Sequence, residues 1–552
     1  MAHPAEDKHG FFRSAGIVSA AVLLSRVTGL AREMVMARLF GAGAANDAYQ
    51  LGFRIPNLAR DLFAEGALSS AFVPIFTRYL ATKGKCEAAE LSNLVATALI
   101  LVVGLVCGLG MIFSPALVSL LAPGFAKVPG KFELAVLLTR IMFPFLVLVA
   151  LAAQAMGVLN ACNRYGVPAL ASTFFNIGSV AFGLLLGYTA GRSFGQGLIV
   201  SMACGVVAGG ALQLLWQLPE LGRAGFVYRP RISWRHPGLR QILGLMLPAI
   251  LGNAAVQINV MVNTNLASNI TDAAGRVING PVSWLSYAFR FMQLPLGLFG
   301  VAVATATLPA ISRSAALGRM DEFRATVARS LGMVLLLTVP ASVGLAVLGE
   351  SMVGAVYQWG RFTPFDTRQT AAALACYSIG LAGYSAIKIL APALYALNDA
   401  RTPMLVSLAS IAVNFAAAWA MVKWAGMGHA GLALATSMVA LFGALALFAI
   451  LRRRIHGVEG PRLAASAAKI VAAAAIMGAM CRASSFAIHA ATHSAKWGQL
   501  ADVAISIPLG AAVFYGAARV LGIAELEAVR DACYTSFRNA ARPEVGDPPA
   551  GD

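Results

Sequence analysis

Charge is scarce in this sequence. Asp, Glu, Lys and Arg make up 12% of the 552 residues, against about 25% in soluble domains. Hydrophobic residues account for 59%, and the mean hydropathy is +0.74. A soluble chain of this length has no core large enough to hide that apolar surface, so lipid is the solvent for most of it. Acidic residues are scarcer still, 24 against 42 Lys and Arg, for a formal net charge of +18. In a soluble protein that excess would suggest nucleic acid. Here the basic residues sit mostly in loops between apolar runs, the arrangement that orients membrane proteins, and no DNA- or RNA-binding motif accompanies them. Nucleic acid is therefore not an expected partner.

Other absences narrow the function. Seven cysteines (Cys86, Cys107, Cys162, Cys204, Cys376, Cys481 and Cys533) are scattered without a C-x-x-C spacing, which argues against a disulfide framework or a metal site. There is no phosphate-binding loop, which argues against an ATP-driven pump, and no nucleophile–base constellation for catalysis. A transporter without cofactor is expected, not an enzyme. The N-terminal segment MAHPAEDKHGFFRSAG lacks a signal-peptide cleavage pattern, so the first apolar run reads as a retained span. His489 and His493 form H-x-x-x-H without the zinc-protease glutamate, and read as a solvated outside loop.

What the sequence does have is a series of about fourteen apolar runs of spanning length, giving an all-α polytopic membrane protein. They lie near 16–40, 46–76, 91–121, 133–159, 166–188, 196–218, 239–267, 277–311, 325–349, 367–396, 402–424, 429–451, 464–486 and 500–521. Basic residues alternate from loop to loop. With the N-terminus inside, the inside loops collect Arg78, Lys83, Lys85, Arg164, Arg223, Arg229, Arg231, Arg235, Arg313, Arg319, Arg324, Arg401, Arg452, Arg453, Arg454 and Arg462. The outside loops hold fewer, chiefly Lys127, Lys131, Arg192, Arg276, Arg361, Arg368 and Lys496. The asymmetry predicts N-in and C-in.

The chain also repeats itself. Pro74 and Arg78 match Pro309 and Arg313, and Asn163 and Pro168 match Asn398 and Pro403, all at an offset of 235. A duplicated six-helix unit follows, with lobes at 16–220 and 221–455, two further helices at 460–522 and a cytoplasmic tail at 523–552. Duplicated bundles place the substrate between their halves near the midplane. Gly104 and Gly108, Gly183 and Gly187, and Gly205 and Gly209 have the small-xxx-small spacing of helix packing.

Several charges lie where lipid should not tolerate them. The first span carries Arg26, Arg32, Glu33 and Arg38; at a helix centre each costs roughly 2.5–3.5 kcal/mol on insertion scales. Arg26 and Arg32 are six residues apart, about 240° around a helix, and do not share a face. The second span carries Asp47, Arg54, Asn57, Arg60, Asp61 and Glu65, of which Arg54, Asn57, Asp61 and Glu65 follow the spacing of one helical face. Arg290 and Lys388 lie deep in later spans. For any single residue, a structural ion pair or a snorkelling end explains the charge equally well. For the set, cations exceed the available partners, and an interior of positive potential suits a phosphate or carboxylate ligand, which guanidinium binds bidentately.

The strings SRVTGLAREMVMARLFGAGAANDAY (from Ser25), FRIPNLARDLFAEGALSSAFVPIF (from Phe53), LNACNRYGVPA (from Leu159), PAILGNAAVQIN (from Pro248) and VSWLSYAFRFMQLPLGLFGVA (from Val282) resemble the MurJ (MviN) lipid II flippase family of the multidrug/oligosaccharidyl-lipid/polysaccharide exporter superfamily. The resemblance implies fourteen helices, two six-helix lobes in a V, and two extra C-terminal helices beside a groove for a polyprenyl tail. It implies a flippase that carries lipid II from the cytoplasmic to the periplasmic leaflet by alternating access, in a bacterial inner membrane, among membrane lipids and with scope for contact with the cell-wall synthesis machinery. The family's cavity cations correspond to Arg26, Arg32, Arg60, Arg290 and Lys388; Glu33, Asp47, Arg54, Asn57, Asp61 and Glu65 would support or gate them. Two departures stand out: Phe289 and Gln293 occupy positions where relatives commonly have acids around the span-eight arginine. Spans seven and eleven have no interior acid, with Asp399 only at an edge, so no sodium site is assigned. Coupling to the membrane potential, H+ or Na+ stays unassigned. Flipping of another undecaprenyl-linked glycan, or multidrug/cation antiport, is the alternative within the superfamily; the sign of the interior disfavours a cation substrate. A non-transporting scaffold would gain nothing from buried arginines.

Overall fold

The computed structural model describes residues 6–61, 68–190, 197–457, 460–492 and 495–527. Among these the chain is helical, with one isolated bridge between Thr271 and Val277 and no strand. A membrane-spanning backbone must satisfy its own N–H and C=O groups, and helices do so within one segment.

The first part of the chain forms α1 (Glu6–Phe40), α2 (Ala44–Arg60), α3 (Ser69–Thr82), α4 (Gly84–Ile112), α5 (Ser114–Leu121), α6 (Lys131–Met142), α7 (Phe145–Ala161), α8 (Gly166–Thr189), α9 (Leu198–Leu215), α10 (Leu218–Arg223) and α11 (Pro237–Ser268). The rest forms α12 (Pro281–Pro295), α13 (Ala302–Ala316), α14 (Met320–Tyr357), α15 (Pro364–Ile379), α16 (Leu381–Ala396), α17 (Arg401–Trp419), α18 (Gly428–Arg454), α19 (Gly460–Ala491) and α20 (Ala495–Val520). Eleven segments among the described residues are long and apolar enough to cross a membrane, and they coincide with eleven of the expected spans. The other three expected spans are 16–40, which is helical as α1; 46–76, which contains α2 and α3; and 239–267, which lies in α11. Several spans are composite. α6 and α7 meet at Pro144 and form one span, and α12 passes at Pro295 into a π-helical turn, Leu296–Val301, before α13. Proline supplies no N–H to the ladder, so a break or bulge beside it is expected.

Packing groups the chain into two compact units. One comprises Met1–Tyr287, Val356–Gln369 and Phe415–Leu432; the other comprises Ala288–Ala355, Thr370–Asn414 and Ala433–Asp552. The core of the first is built on Phe72, Phe76, Tyr79, Leu91, Leu146 and Leu159. That of the second is built on Phe323, Val327, Leu331, Ile389, Leu394 and Leu451, with α19 and α20 packed on α14 through Leu336, Ile470, Ala473 and Ala518. The internal repeat reappears in the backbone: Asn163 after α7 and Asn398 after α16 both take the left-handed conformation, at φ 59° and 57°, which asparagine tolerates better than most residues.

In the first unit α8 and α9 approach closely. A Cβ on Gly205 would lie 2.3 Å from the Ser179 carbonyl oxygen, and one on Gly209 would lie 2.6 Å from that of Phe175. These glycines therefore set the interaxial distance. Gly104 and Gly108, which have the same spacing, face open space, so the packing role expected from their spacing fails there. Gly205→Ala is expected to destabilise the protein by about 1–3 kcal/mol, the cost of overpacking, whereas Gly108→Ala should be neutral or stabilising. Thermal unfolding of the two variants side by side checks this.

Candidate functional site

The site is built first on α1. Asn176 of α8 donates from Nδ2 to the Ser25 carbonyl at 3.2 Å and to Thr28 Oγ1 at 3.4 Å. Gly29 leaves room for this, since a Cβ there would sit 3.4 Å from the same amide nitrogen. One turn further, the Arg32 guanidinium lies between the rings of Phe53 and Phe175, 5.3 Å from each centroid. Ser25, Thr28, Gly29 and Arg32 thus form the face of α1 that meets α8, and Arg26 is exposed on another side. Tyr357 donates its hydroxyl to Glu33 at 3.0 Å.

α2 carries a polar seam. Arg54 donates to Thr264 Oγ1 at 2.8 Å and to Ser286 Oγ at 3.1 Å. Asp61, two turns on, accepts from Gln257 at 3.5 Å and pairs with Arg60 at 3.1 Å. The two α11 partners, Thr264 and Gln257, are also seven residues apart, so α2 and α11 run antiparallel along one stripe. Asn57 lies between, with its side-chain oxygen buried. The one-face reading holds for Arg54 and Asp61. Glu65 lies outside the described residues.

Asp47, at the start of α2, is the most enclosed acid of the set. Its Oδ1 accepts from the Ser283 N–H at 3.0 Å and hydroxyl at 2.7 Å. Its Oδ2 accepts from the Gly280 N–H at 2.8 Å and from Lys131 Nζ at 2.8 Å. Both charged side chains are 1% exposed. Four donors fill the carboxylate's four acceptor positions, and two of them are free N–H groups at the start of α12, so Asp47 caps that helix from another element. Neighbouring Asn46 donates to Gly41 O, Ser283 Oγ and Tyr287 OH. Lys131 also donates to Asn279 and lies over the Phe125 ring. The sequence placed Lys131 in an outside loop; it is buried, because Asp47 and Asn279 replace its water. Nearby, Trp284 donates to Asp366 at 2.9 Å, and Asp366 accepts from the N–H and hydroxyl of Thr363. Together these contacts fasten 279–287 and 363–366 to the ends of α1, α2 and α6 within the first unit. Sequence spacing gave no sign of Ser283, Trp284 or Asp366.

In the second unit, Arg290 donates to Gln293, one turn on, at 3.4 Å, and Phe289 packs edge-on against Tyr377. Lys388 is exposed on α16. Asp399 is a helix cap. It accepts from the hydroxyl and N–H of Thr402 and pairs with Arg454. These bonds, with Thr402's foremost, hold its carboxyl below the usual range. His489 lies in the last turn of α19, where the sequence suggested a loop, and bonds to Ser485 O; His493 lies outside the described residues.

Comparison with known proteins adds a family. The model of the family described as "Lipid II flippase MurJ" matches residues 36–498. The chain is 37% identical over 455 residues to the probable lipid II flippase MurJ of Vibrio cholerae, covering 80% of this chain and 82% of that one. It is 36% identical to the lipid II flippase MurJ of Burkholderia cenocepacia, covering 80% and 84%. The Bdellovibrio bacteriovorus relative is 30% identical over 96% of this chain and 99% of its own. Among solved structures, a lipid II flippase MurJ in an inward closed conformation superposes with a TM-score of 0.73 at 25% identity, over 91% and 99% of the two chains. An inward-facing MATE family multidrug transporter shares the fold, with a TM-score of 0.59 at 17% identity over 80% and 95%.

Proposed function

The chain belongs to the lipid II flippase MurJ family, and from that premise we propose that it carries lipid II from the cytoplasmic to the periplasmic leaflet of a bacterial inner membrane. It is a multi-pass transporter, not an enzyme. The observation that carries the reading is the family match across residues 36–498, which takes in Arg60, Arg290 and Lys388 and begins one turn after Arg32. Arg32 and Arg60 of the first unit are the groups proposed to hold the pyrophosphate; Arg26, on another face of α1, and Arg290 and Lys388 of the second unit are proposed as further cations that the substrate meets. Arginine is suited to this because its planar fork donates two parallel bonds to phosphate oxygens.

The cycle proposed is alternating access. The Asp47 cluster fastens one membrane face of the first unit, and its release would accompany opening there. The N-terminus and C-terminus lie inside, so the Asp47 face is the outer one. Cysteine labelling in intact cells is expected to leave a cysteine at Arg229 protected from impermeant reagent and to modify one at Lys127. The reverse pattern would invert the topology and the direction of transport. Enzymes that consume lipid II at the outer surface are the expected neighbours.

The drive is proposed to be an ion gradient or the membrane potential, since one charge crossing the field is worth about 2.3 kcal/mol per 100 mV. Depleting the protein in its host should trap lipid II in the inner leaflet, and collapsing the gradients while ATP stays high should do the same. Outer-leaflet lipid II in depleted cells would refute the function. Export that persists without gradients would refute only the coupling.

A further inference from the structure

A lateral groove of about 240 Å³ opens on the first unit, away from the charged faces of α1 and α2. Ala96 and Ile100 of α4, Leu151 and Ala155 of α7, Leu214 of α9 and Leu218 form its apolar walls. It follows α4 from Asn93 to Ile100, about 10 Å at 1.5 Å per residue. Toward the start of α4 the lining turns polar. There Gln154 donates to the Ser92 carbonyl at 3.1 Å and hydroxyl at 2.9 Å. Such a slot is too small for a disaccharide-peptide but matches part of an acyl chain.

Across its polar end runs the irregular segment 226–233, strapped to α4. The Arg229 N–H donates to Asn93 Oδ1 at 3.2 Å, the Arg231 N–H donates to Thr97 Oγ1 at 3.3 Å, and the Tyr228 hydroxyl shares a bond with Thr97 at 3.1 Å. Arg231 is partnered with Glu90 at 3.2 Å. Between residues 220 and 240 the chain has five arginines (223, 229, 231, 235 and 240) and a single acid, Glu220, which is shared by Arg164 and Arg223. The Arg229 side chain is exposed beside the groove. Val227 and Ile232 on the same segment, and Trp234 just after it, are 64%, 68% and 45% exposed, as interface-seeking residues are. A run of arginines on the segment that borders an apolar slot is complementary to one kind of molecule, an anionic headgroup joined to a hydrocarbon chain.

We propose that this groove is a binding site for an anionic glycerophospholipid, with one acyl chain between α4, α7 and α9 and its phosphate on the arginines of segment 223–235. The site is separate from the transported substrate and does not depend on what that substrate is.

The test uses the purified full-length protein in a neutral detergent and reads thermal unfolding and bound lipid by native mass spectrometry. Dioleoyl-phosphatidylglycerol is expected to bind and to raise the unfolding temperature in a saturable way, while dioleoyl-phosphatidylcholine and inorganic phosphate do not. Arg229→Gln should weaken phosphatidylglycerol binding roughly fivefold, and Arg223→Gln with Arg229→Gln by more. Ile100→Trp, which fills the slot from its exposed rim, should remove binding without lowering the unfolding temperature of the lipid-free protein. Arg519→Gln, on α20, is the control and should leave binding unchanged. Equal binding of the two phospholipids, equal stabilisation by inorganic phosphate, or unaltered affinity in the arginine variants would overturn the proposal. So would undecaprenyl phosphate displacing phosphatidylglycerol from the slot at lower concentration, which would give the groove to the substrate's own tail.

Discussion

Asp47→Ala is expected to lower stability by about 3–5 kcal/mol, because it leaves the Lys131 ammonium buried without its counter-charge and removes the cap from α12. The pair is 2.8 Å apart and 1% exposed on both sides, so solvent screening does not soften the loss. Lys131→Met alone should cost a similar amount. The double change Asp47→Ala with Lys131→Met should cost clearly less than the sum, since no uncompensated charge remains. A double-mutant cycle on thermal unfolding measures the coupling. Additive losses would show that the ion pair is not what holds the segment. Transport gives an independent reading: the double variant, although refolded, lacks the fastening between α2 and the start of α12 and should flip poorly.

Arg32→Ala should reduce transport roughly a hundredfold while the protein still reaches the membrane. A charge-assisted hydrogen bond contributes about 1.5–3 kcal/mol, and losing one phosphate contact at the upper end of that range, or two at the lower end, accounts for the drop. The packing loss is smaller, about 0.5–2 kcal/mol for a cation between aromatic rings, here Phe53 and Phe175. Arg32→Lys keeps charge but not the two-pronged donor and should retain part of the activity. Complementation of a flippase-depleted strain, with membrane levels measured in parallel, separates the two contributions. Normal growth on Arg32→Ala at wild-type levels would remove Arg32 from the substrate site.

What the sequence disclosed depended on the range of the interaction. Local periodicity showed that Arg54 and Asp61 share a face, and the structure sets them on Thr264 and Gln257 of one neighbouring helix. Helical geometry also separated Arg26 from Arg32, though nothing local could show that Phe53 and Phe175 would enclose only the latter. The Asp47 cluster was not legible, because its partners lie 84 and 236 residues away and Lys131 looks like any loop cation until its burial is known. The glycine pairs teach the same lesson. Gly205 with Gly209 and Gly104 with Gly108 have identical spacing, yet only the first pair meets another backbone. Spacing shows what a helix face can accept, and the neighbour decides whether it is used.

If the proposed function is right, this chain by itself moves lipid II across a bilayer through its arginine-bearing helices. The most direct measurement is flipping by the purified protein. It is reconstituted into vesicles with fluorescent lipid II under an inside-negative potential, and the probe's exposure to an impermeant quencher is followed. Lipid II is expected to change leaflet with the wild-type protein and to stay put with Arg32→Ala, while a fluorescent phosphatidylcholine moves in neither case. Lipid II movement at the same rate in protein-free or Arg32→Ala vesicles would contradict the proposed function.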